Sequence, residues 1–275
     1  QGGSELDGLG AGGYHATKEN LKRVPLHILV HNFSTSTEDV MTIEGRERNG
    51  RWTLPPVTMK AAASDVGHWN GVVNLESFYS AQRDETLYFD FKAKSANGVS
   101  VAPLSLRIVL ERGLGDLLKS FPRTQKTEIL RAVGEAPSGA EFRADASGGA
   151  VRADLDVRSG KARWGRLRIR PDQAPTGFSQ CKGLVIRAKV EGNAGVFVGV
   201  TDDNAEWNGP SGAFPPGGGA HAAFIPFDSL KFLRPTRGAG DKPLSPEKIS
   251  LVDLTLLSFT HQNHVEIFEL YWVGE

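Results

Sequence analysis

Gly183 to Thr201 reads G-L-V-I-R-A-K-V-E-G-N-A-G-V-F-V-G-V-T, and the alternation in this stretch decides the fold class. Leu184, Ile186, Ala188 and Val190 fall on one parity, and Val196, Val198 and Val200 repeat it beyond Gly192-Asn193-Ala194-Gly195. A period of two on both sides of a Gly-containing turn predicts two short strands paired antiparallel. The second strand runs into Asp202-Asp203-Asn204-Ala205-Glu206-Trp207-Asn208-Gly209, where carboxylates and amides surround an indole at the end of a sheet. Such a loop has the chemistry to hold a sugar or a metal ion, and it equally suits plain solvent.

The same rhythm extends both ways. Toward the C-terminus a Gly/Pro-rich loop precedes Phe224-Ile225-Pro226-Phe227, and two strands, Ile249 to Phe259 and Val265 to Val273, close the chain. Toward the N-terminus lie Gly149 to Val157 and Arg163 to Arg170. In the latter, Leu167 and Ile169 share one face while Trp164, Arg166, Arg168 and Arg170 take the other, which makes that face aromatic and basic. Eight or so strands from residue 139 to 275 predict a jelly-roll sandwich. Residues 113–138 break the alternation and predict a linker with short helical turns around Leu117, Leu118 and Phe121 and around Ile129, Leu130 and Val133. Before it, residues 21–112 hold six or seven short strands, among them Leu87-Phe89-Phe91-Ala93 and Leu104-Leu106-Ile108-Leu110 about the turn Asn97-Gly98. That spacing predicts an immunoglobulin-like β-sandwich. Residues 1–20, with six glycines and little apolar weight, predict a flexible arm.

Lys plus Arg equals Asp plus Glu, 32 each, so no net field draws the chain to nucleic acid or an anionic membrane. No stretch approaches the roughly 20 apolar residues of a membrane-spanning helix. One cysteine, Cys181, leaves no internal disulfide and no cysteine-based zinc cluster. Neither a Gly-x-Ser-x-Gly elbow, a phosphate loop nor a His-Glu-x-x-His helix is present. Asn32-Phe33-Ser34 has the form of a glycosylation acceptor.

From Glu135 to Glu275 the chain is similar to the galactose-binding-like jelly rolls of carbohydrate-binding modules and the complex I intermediate-associated protein group. The likeness rests on the Gly148-Gly-Ala-Val-Arg-Ala-Asp strand, the Trp164 strand, Gly183-Leu-Val-Ile-Arg-Ala, Phe224-Ile-Pro-Phe-Asp-Ser-Leu-Lys-Phe, Leu244-Ser-Pro-Glu-Lys-Ile and Val265-Glu-Ile-Phe-Glu-Leu-Tyr-Trp-Val. Val30-His31-Asn32-Phe33, Trp52-Thr-Leu-Pro-Pro and Leu87-Tyr-Phe-Asp-Phe-Lys-Ala resemble the immunoglobulin-like accessory sandwiches beside the catalytic barrels of bacterial glycoside hydrolases. Together the resemblances imply a secreted, non-catalytic carbohydrate-binding segment of a polysaccharide-degrading glycoside hydrolase, extracellular or periplasmic with its signal removed. Its partners would be a polysaccharide or oligosaccharide and a catalytic domain or chain. Related jelly rolls often carry a structural calcium ion, and the resemblance implies carboxylate ligands among Glu141, Asp145, Glu266 and Glu269, with Glu141 and Glu269 foremost.

Sugar recognition in water combines an aromatic face with planar amides, carboxylates and guanidinium groups. Trp164, Arg166 and Arg168 on one strand, with Asp202, Asp203, Asn204 and Trp207 at the loop, are the residues expected to form such a surface. The alternative is that Trp164 packs under a loop and the arginines pair with Asp154 and Asp156 on a neighbouring strand. Two further alternatives stand beside the binding segment: a structural scaffold that packs on a catalytic domain or partner subunit, and a β-sandwich polysaccharide lyase or hydrolase. His261 and His264 are separated by two residues in a hairpin turn, where a metal site and a solvated turn are both open.

Overall fold

The computed structural model describes residues 4–5, 14–18, 21–30, 40–47, 50, 53–61, 68–95, 100–138, 140–147, 150–157, 163–192, 194–211, 214, 219–235, 243–258 and 262–275. Asn32-Phe33-Ser34, Trp52, Asn97-Gly98 and His261 lie outside the described residues. The chain is all-β but for short helical turns, and it divides into two compact units, residues 1–112 and 113–275.

The first unit contains β1 (Ser4–Glu5), β2 (Tyr14–Thr17), β3 (Val24–Val30), β4 (Val40–Glu47), β5 (Thr53–Ala61), β6 (His68–Val73), β7 (Glu85–Ser95) and β8 (Ser100–Glu111). Hydrogen bonding links all eight into one sheet, ordered β1-β3-β6-β5-β4-β7-β8-β2, where an immunoglobulin-like sandwich divides its strands between two sheets. The predicted flexible arm fails at β2, which pairs in parallel with the end of β8 and buries Ala16 and Thr17. Glycine content hid this strand, because four residues against an existing edge need only backbone partners and two small buried side chains.

The second unit opens with α1 (Leu114–Leu118), followed by β9 (Arg123–Thr127), β10 (Ile129–Glu135), β11 (Ala140–Ser147), β12 (Ala150–Val157) and β13 (Arg163–Pro171). It continues with β14 (Cys181–Glu191), β15 (Gly195–Thr201), β16 (Ala205–Ser211), β17 (His221–Pro226), β18 (Lys231–Pro235), β19 (Leu251–Ser258) and β20 (Gln262–Gly274). One sheet runs β10-β13-β19-β15-β16-β18. The other runs β11-β12-β20-β14-β17, with β9 also paired to β20. Both are antiparallel throughout, and their inward side chains meet in a single core. Leu184, Ile186, Ala188 and Val190 reach it from one sheet, and Val196, Val198, Val200, Val252, Leu254 and Leu256 from the other. This is the sandwich predicted for the second half.

Two expectations are corrected here. β14 and β15 do not pair with each other: β14 lies between β20 and β17, β15 between β19 and β16, so the turn after Gly192 crosses from one sheet to the other. Alternation tells which side chains turn inward, and strands on opposite layers of one core share that signal with paired strands. Gly192 adopts a φ of 94° in this crossing, a conformation open to glycine. The expected linker of residues 113–138 instead belongs to the sandwich. Only Leu114–Leu118 is α-helical; Ile129–Glu135 is an edge strand whose single buried face leaves too few apolar residues to show a period.

α1 covers part of the outer face of the β14–β17 sheet. Leu117 packs with Val185 and Val273, and the ring of Phe121 lies 4.8 Å from that of Phe224. The rest of that face carries cross-strand polar pairs, including the ion pair of Arg152 with Glu266 at 2.9 Å and a hydrogen bond between Asp154 and His264 at 2.8 Å. The outer face of the β10–β18 sheet has no such cover among the described residues.

Candidate functional site

Residues directly opposite in an antiparallel pair share a face, so the register maps this outer face. Trp164 stands opposite Leu257, Arg166 opposite Thr255, and Arg168 opposite Asp253 on β19. On the other side of β13, Arg166 faces Glu135, Arg168 faces Val133, and Arg170 faces Arg131. Beyond β19 come Phe197 and Gly199 of β15, then Asn208 and Glu206 of β16. The inward parity of β13 is Gly165, Leu167 and Ile169, all buried. Gly165 is required there, because a Cβ would come within 2.9 Å of Leu155 and 3.0 Å of the Phe142 ring across the core.

Trp164 is 42% exposed and Leu257 38% exposed, so one end of the face offers an indole beside an aliphatic side chain. All six exposed large apolar side chains described in this unit (Leu130, Val133, Trp164, Phe232, Leu233 and Leu257) sit on strands of this one sheet.

Further along the same face lies a charged network centred on Glu206, which is only 5% exposed. Its carboxylate accepts hydrogen bonds from Arg166 Nη1 at 2.8 Å and from Arg168 Nη2 at 3.0 Å. Arg234 of the edge strand β18 adds a bidentate pair through Nε at 2.8 Å and Nη2 at 2.9 Å. Burial by itself pushes the Glu206 carboxyl upward, but the hydrogen bonds from Arg234 and Arg166 outweigh it and hold the group down to about 2. Asp253, 3% exposed, accepts from Thr201 Oγ1 at 2.8 Å and lies 3.6 Å from Arg168 Nε. Its carboxyl is raised, mainly by desolvation, against the opposing pull of the Thr201 hydrogen bond and the two arginines. Three guanidinium groups are therefore locked in place by two buried carboxylates, with Arg234 still 60% exposed.

Of the residues expected to form a binding surface, Trp164, Arg166 and Arg168 share this face. The other four do not join them. Trp207 faces Val200 and packs against the core, on the opposite side of the sheet from Trp164. Asp202 is 2% exposed and works as a tie: its Oδ1 accepts from the backbone N–H groups of Asn204 and Ala205, both at 2.8 Å, and its Oδ2 from that of Ser245 at 2.9 Å. Asp203 is exposed beside Lys248 at 3.8 Å. This turn lies beyond Thr201, seven residues of β15 away from the Trp164 level at Gly195, roughly 20 Å along the strand. The alternative partners Asp154 and Asp156 are also corrected, since β12 belongs to the other sheet. Clustering in sequence misled here because the two parities of one strand point to opposite sides.

Reasoning from sequence missed Glu206, Arg234 and Asp253. Asp253 was visible as a lone acid in Leu251-Val-Asp-Leu-Thr-Leu-Leu, on the parity opposite Val252, Leu254 and Leu256. Arg234 carries no such signal, since only the fold brings β18 beside β16.

The expected calcium ligands do not converge. Glu141 faces Asp156, which faces Gln262, while Glu269 lies seven residues further along β20, more than roughly 20 Å away. Glu141 is paired with Arg143, and Glu269 with Lys126 and Arg187 and the Tyr271 hydroxyl, so cations and donors already occupy both carboxylates. No group of three or more metal-ligating residues converges among those described. Glu141 instead lines a 480 Å³ cleft with Arg143, Asp154, Asp156, Glu191 and His264. The Cys181 thiol is pushed up to about 11 by burial, which keeps it protonated at neutral pH.

No family model matches the chain, and no curated protein does. Among solved structures it is similar to the family 11 carbohydrate-binding module of the cellulosomal cellulase Lic26A-Cel5E of Clostridium thermocellum, at 11% identity and a TM-score of 0.43, over 56% of this chain and 95% of that one. A family 29 carbohydrate-binding module matches at 13% identity and a TM-score of 0.33, over 55% of this chain and 90% of that one. The agarase AgWH50C matches at 13% identity and a TM-score of 0.34, over 52% of this chain and 24% of its own. Likenesses this distant do not decide a ligand.

Proposed function

We propose that the outer face of the β10–β18 sheet binds a carbohydrate chain. In this reading the protein is a non-catalytic segment, secreted to the periplasm or beyond, that keeps a glycoside hydrolase near its polysaccharide. The observation that carries the reading is Trp164, exposed beside Leu257 and on the same face as arginines already fixed by Glu206. A pyranose presents C–H faces that pack on an indole and hydroxyls that bond to guanidinium and carboxylate groups. Because Glu206 has already ordered Arg166 and Arg168, a ligand would lose little of its binding free energy to arranging them. A single open face gives modest affinity, and a tethered enzyme gains from the local concentration.

One observation favours a scaffold role instead. Phe232 and Leu233 are exposed on the edge strand β18, where a packing partner would cover them. Titration of the full chain against a panel of neutral and acidic polysaccharides separates the two. Saturable binding to at least one, with a Kd on the order of micromolar to millimolar, is expected. Absence of binding across the panel would leave the scaffold, and release of reducing ends by the chain would end the non-catalytic claim.

A further inference from the structure

Arg131 and Arg170 stand directly opposite each other on β10 and β13, both exposed, on the face that carries Trp164 and Arg168. Six other sheet arginines of the unit have a carboxylate partner. Arg166, Arg168 and Arg234 share Glu206, Arg143 pairs with Glu141, Arg152 with Glu266, and Arg187 with Glu269. Among the described residues neither Arg131 nor Arg170 has a carboxylate in ion-pair range. Like charges directly across a strand pair disfavour the pairing, and the Cβ atoms of such a pair lie only about 5 Å apart. That spacing is short enough for two guanidinium forks to close on one oxyanion, such as a carboxylate or sulfate.

We propose that the Arg131–Arg170 pair holds the carboxylate or sulfate groups of an anionic polysaccharide that lies along β13. This rests on the reading of the face as a carbohydrate surface and adds the ligand's charge and direction. Trp164 and Arg170 are six residues apart on one strand, roughly 20 Å, so an extended chain spans a stacking end at Trp164 and Leu257 and an ionic end at Arg131 and Arg170. Between them Arg166, Arg168 and Arg234 are already committed to Glu206, Asp253 and Glu135. The ionic end therefore selects for charge, while the indole contributes stacking to neutral and charged chains alike.

The test uses the full chain with a uronate-rich polysaccharide, a sulfated polysaccharide, and each again after carboxyl reduction or desulfation. One of the two charged glycans is expected to bind at least about tenfold tighter than its neutralised form, and which one identifies the oxyanion. The double variant R131Q/R170Q is expected to abolish that difference, to leave affinity for the neutralised glycan unchanged, and to flatten the salt dependence. Both side chains are exposed and their mutual repulsion is relieved, so the variant does not lower the melting temperature. Equal binding of charged and neutralised forms by the wild type overturns the proposal but leaves the carbohydrate face standing. A preference retained in the double variant, or stronger binding to a polynucleotide than to any glycan, overturns it as well. Failure to bind any glycan removes the face reading itself.

Discussion

Trp164→Ala is expected to raise the Kd for the bound glycan about 10- to 100-fold without lowering the melting temperature. The indole is 42% exposed and its core-side neighbours in the strand are Gly165 and Leu167, so truncation opens no cavity and costs the fold within about 0.5 kcal/mol. What it removes is the flat apolar surface at one end of the face, and aromatic anchors at binding surfaces are worth about 1.5–3 kcal/mol. Trp207→Ala is the internal control, and it inverts both effects. Trp207 packs into the core from the other side of the same sheet, so its loss is expected to destabilise by about 3 kcal/mol while the folded fraction keeps its affinity. Thermal melts and titrations of the two variants check this directly. Equal losses of affinity, or a loss only in the Trp207 variant, would move the site to the inner side and the β15–β16 turn.

Glu206→Gln is expected to be the most destabilising single change on the face, by about 3 kcal/mol or more. The variant leaves the guanidinium groups of Arg166, Arg168 and Arg234 around an amide that accepts through one oxygen only, with its own N–H donors turned on further donors. Arg166 and Arg168 then lose their fixed positions, so affinity falls together with stability. The same carboxylate gives a pH signature. In the folded protein it stays ionised down to about 2, against an ordinary value of 4.5, so its stabilising effect is complete above roughly pH 5 and drains away as pH falls toward 2. Asp253 acts in the opposite sense: burial raises its pKa, the folded state takes up that proton first, and acid relieves its penalty. Denaturant titrations of wild type and Glu206→Gln at pH 6 and pH 3 are expected to show a stability gap that narrows at the lower pH. A gap of constant size would mean that Glu206 is not held ionised by its arginines.

How much of this was legible beforehand follows from what alternation encodes. In Arg163 to Arg170 and in Gly183 to Thr201 it gave the inward and outward sides correctly, and with them the outward row Trp164, Arg166, Arg168 and Arg170. Strand partners were beyond its reach. β14 and β15 look like a hairpin in sequence yet sit in different layers, because a buried parity is the same whether the neighbour lies beside the strand or across the core. The same blindness grouped Trp207 with Trp164, and the resemblance that joined Glu141 to Glu269 paired residues that share a sheet but not a neighbourhood. Glu206 is the instructive miss. It sits between two inward residues, Ala205 and Trp207, and its buried charge makes sense only once Arg166, Arg168 and Arg234 arrive from β13 and β18.

The most direct trial of the carbohydrate-face account is an amide hydrogen-exchange footprint of the full chain with and without the polysaccharide that binds it best. Slowed exchange confined to β10, β13, β19 and β15, running along β13 from the level of Trp164 and Leu257 toward that of Arg170 and Arg131, is the predicted result. Protection at the Glu141–Asp154–His264 cleft instead, with the Trp164 face unchanged, would contradict it.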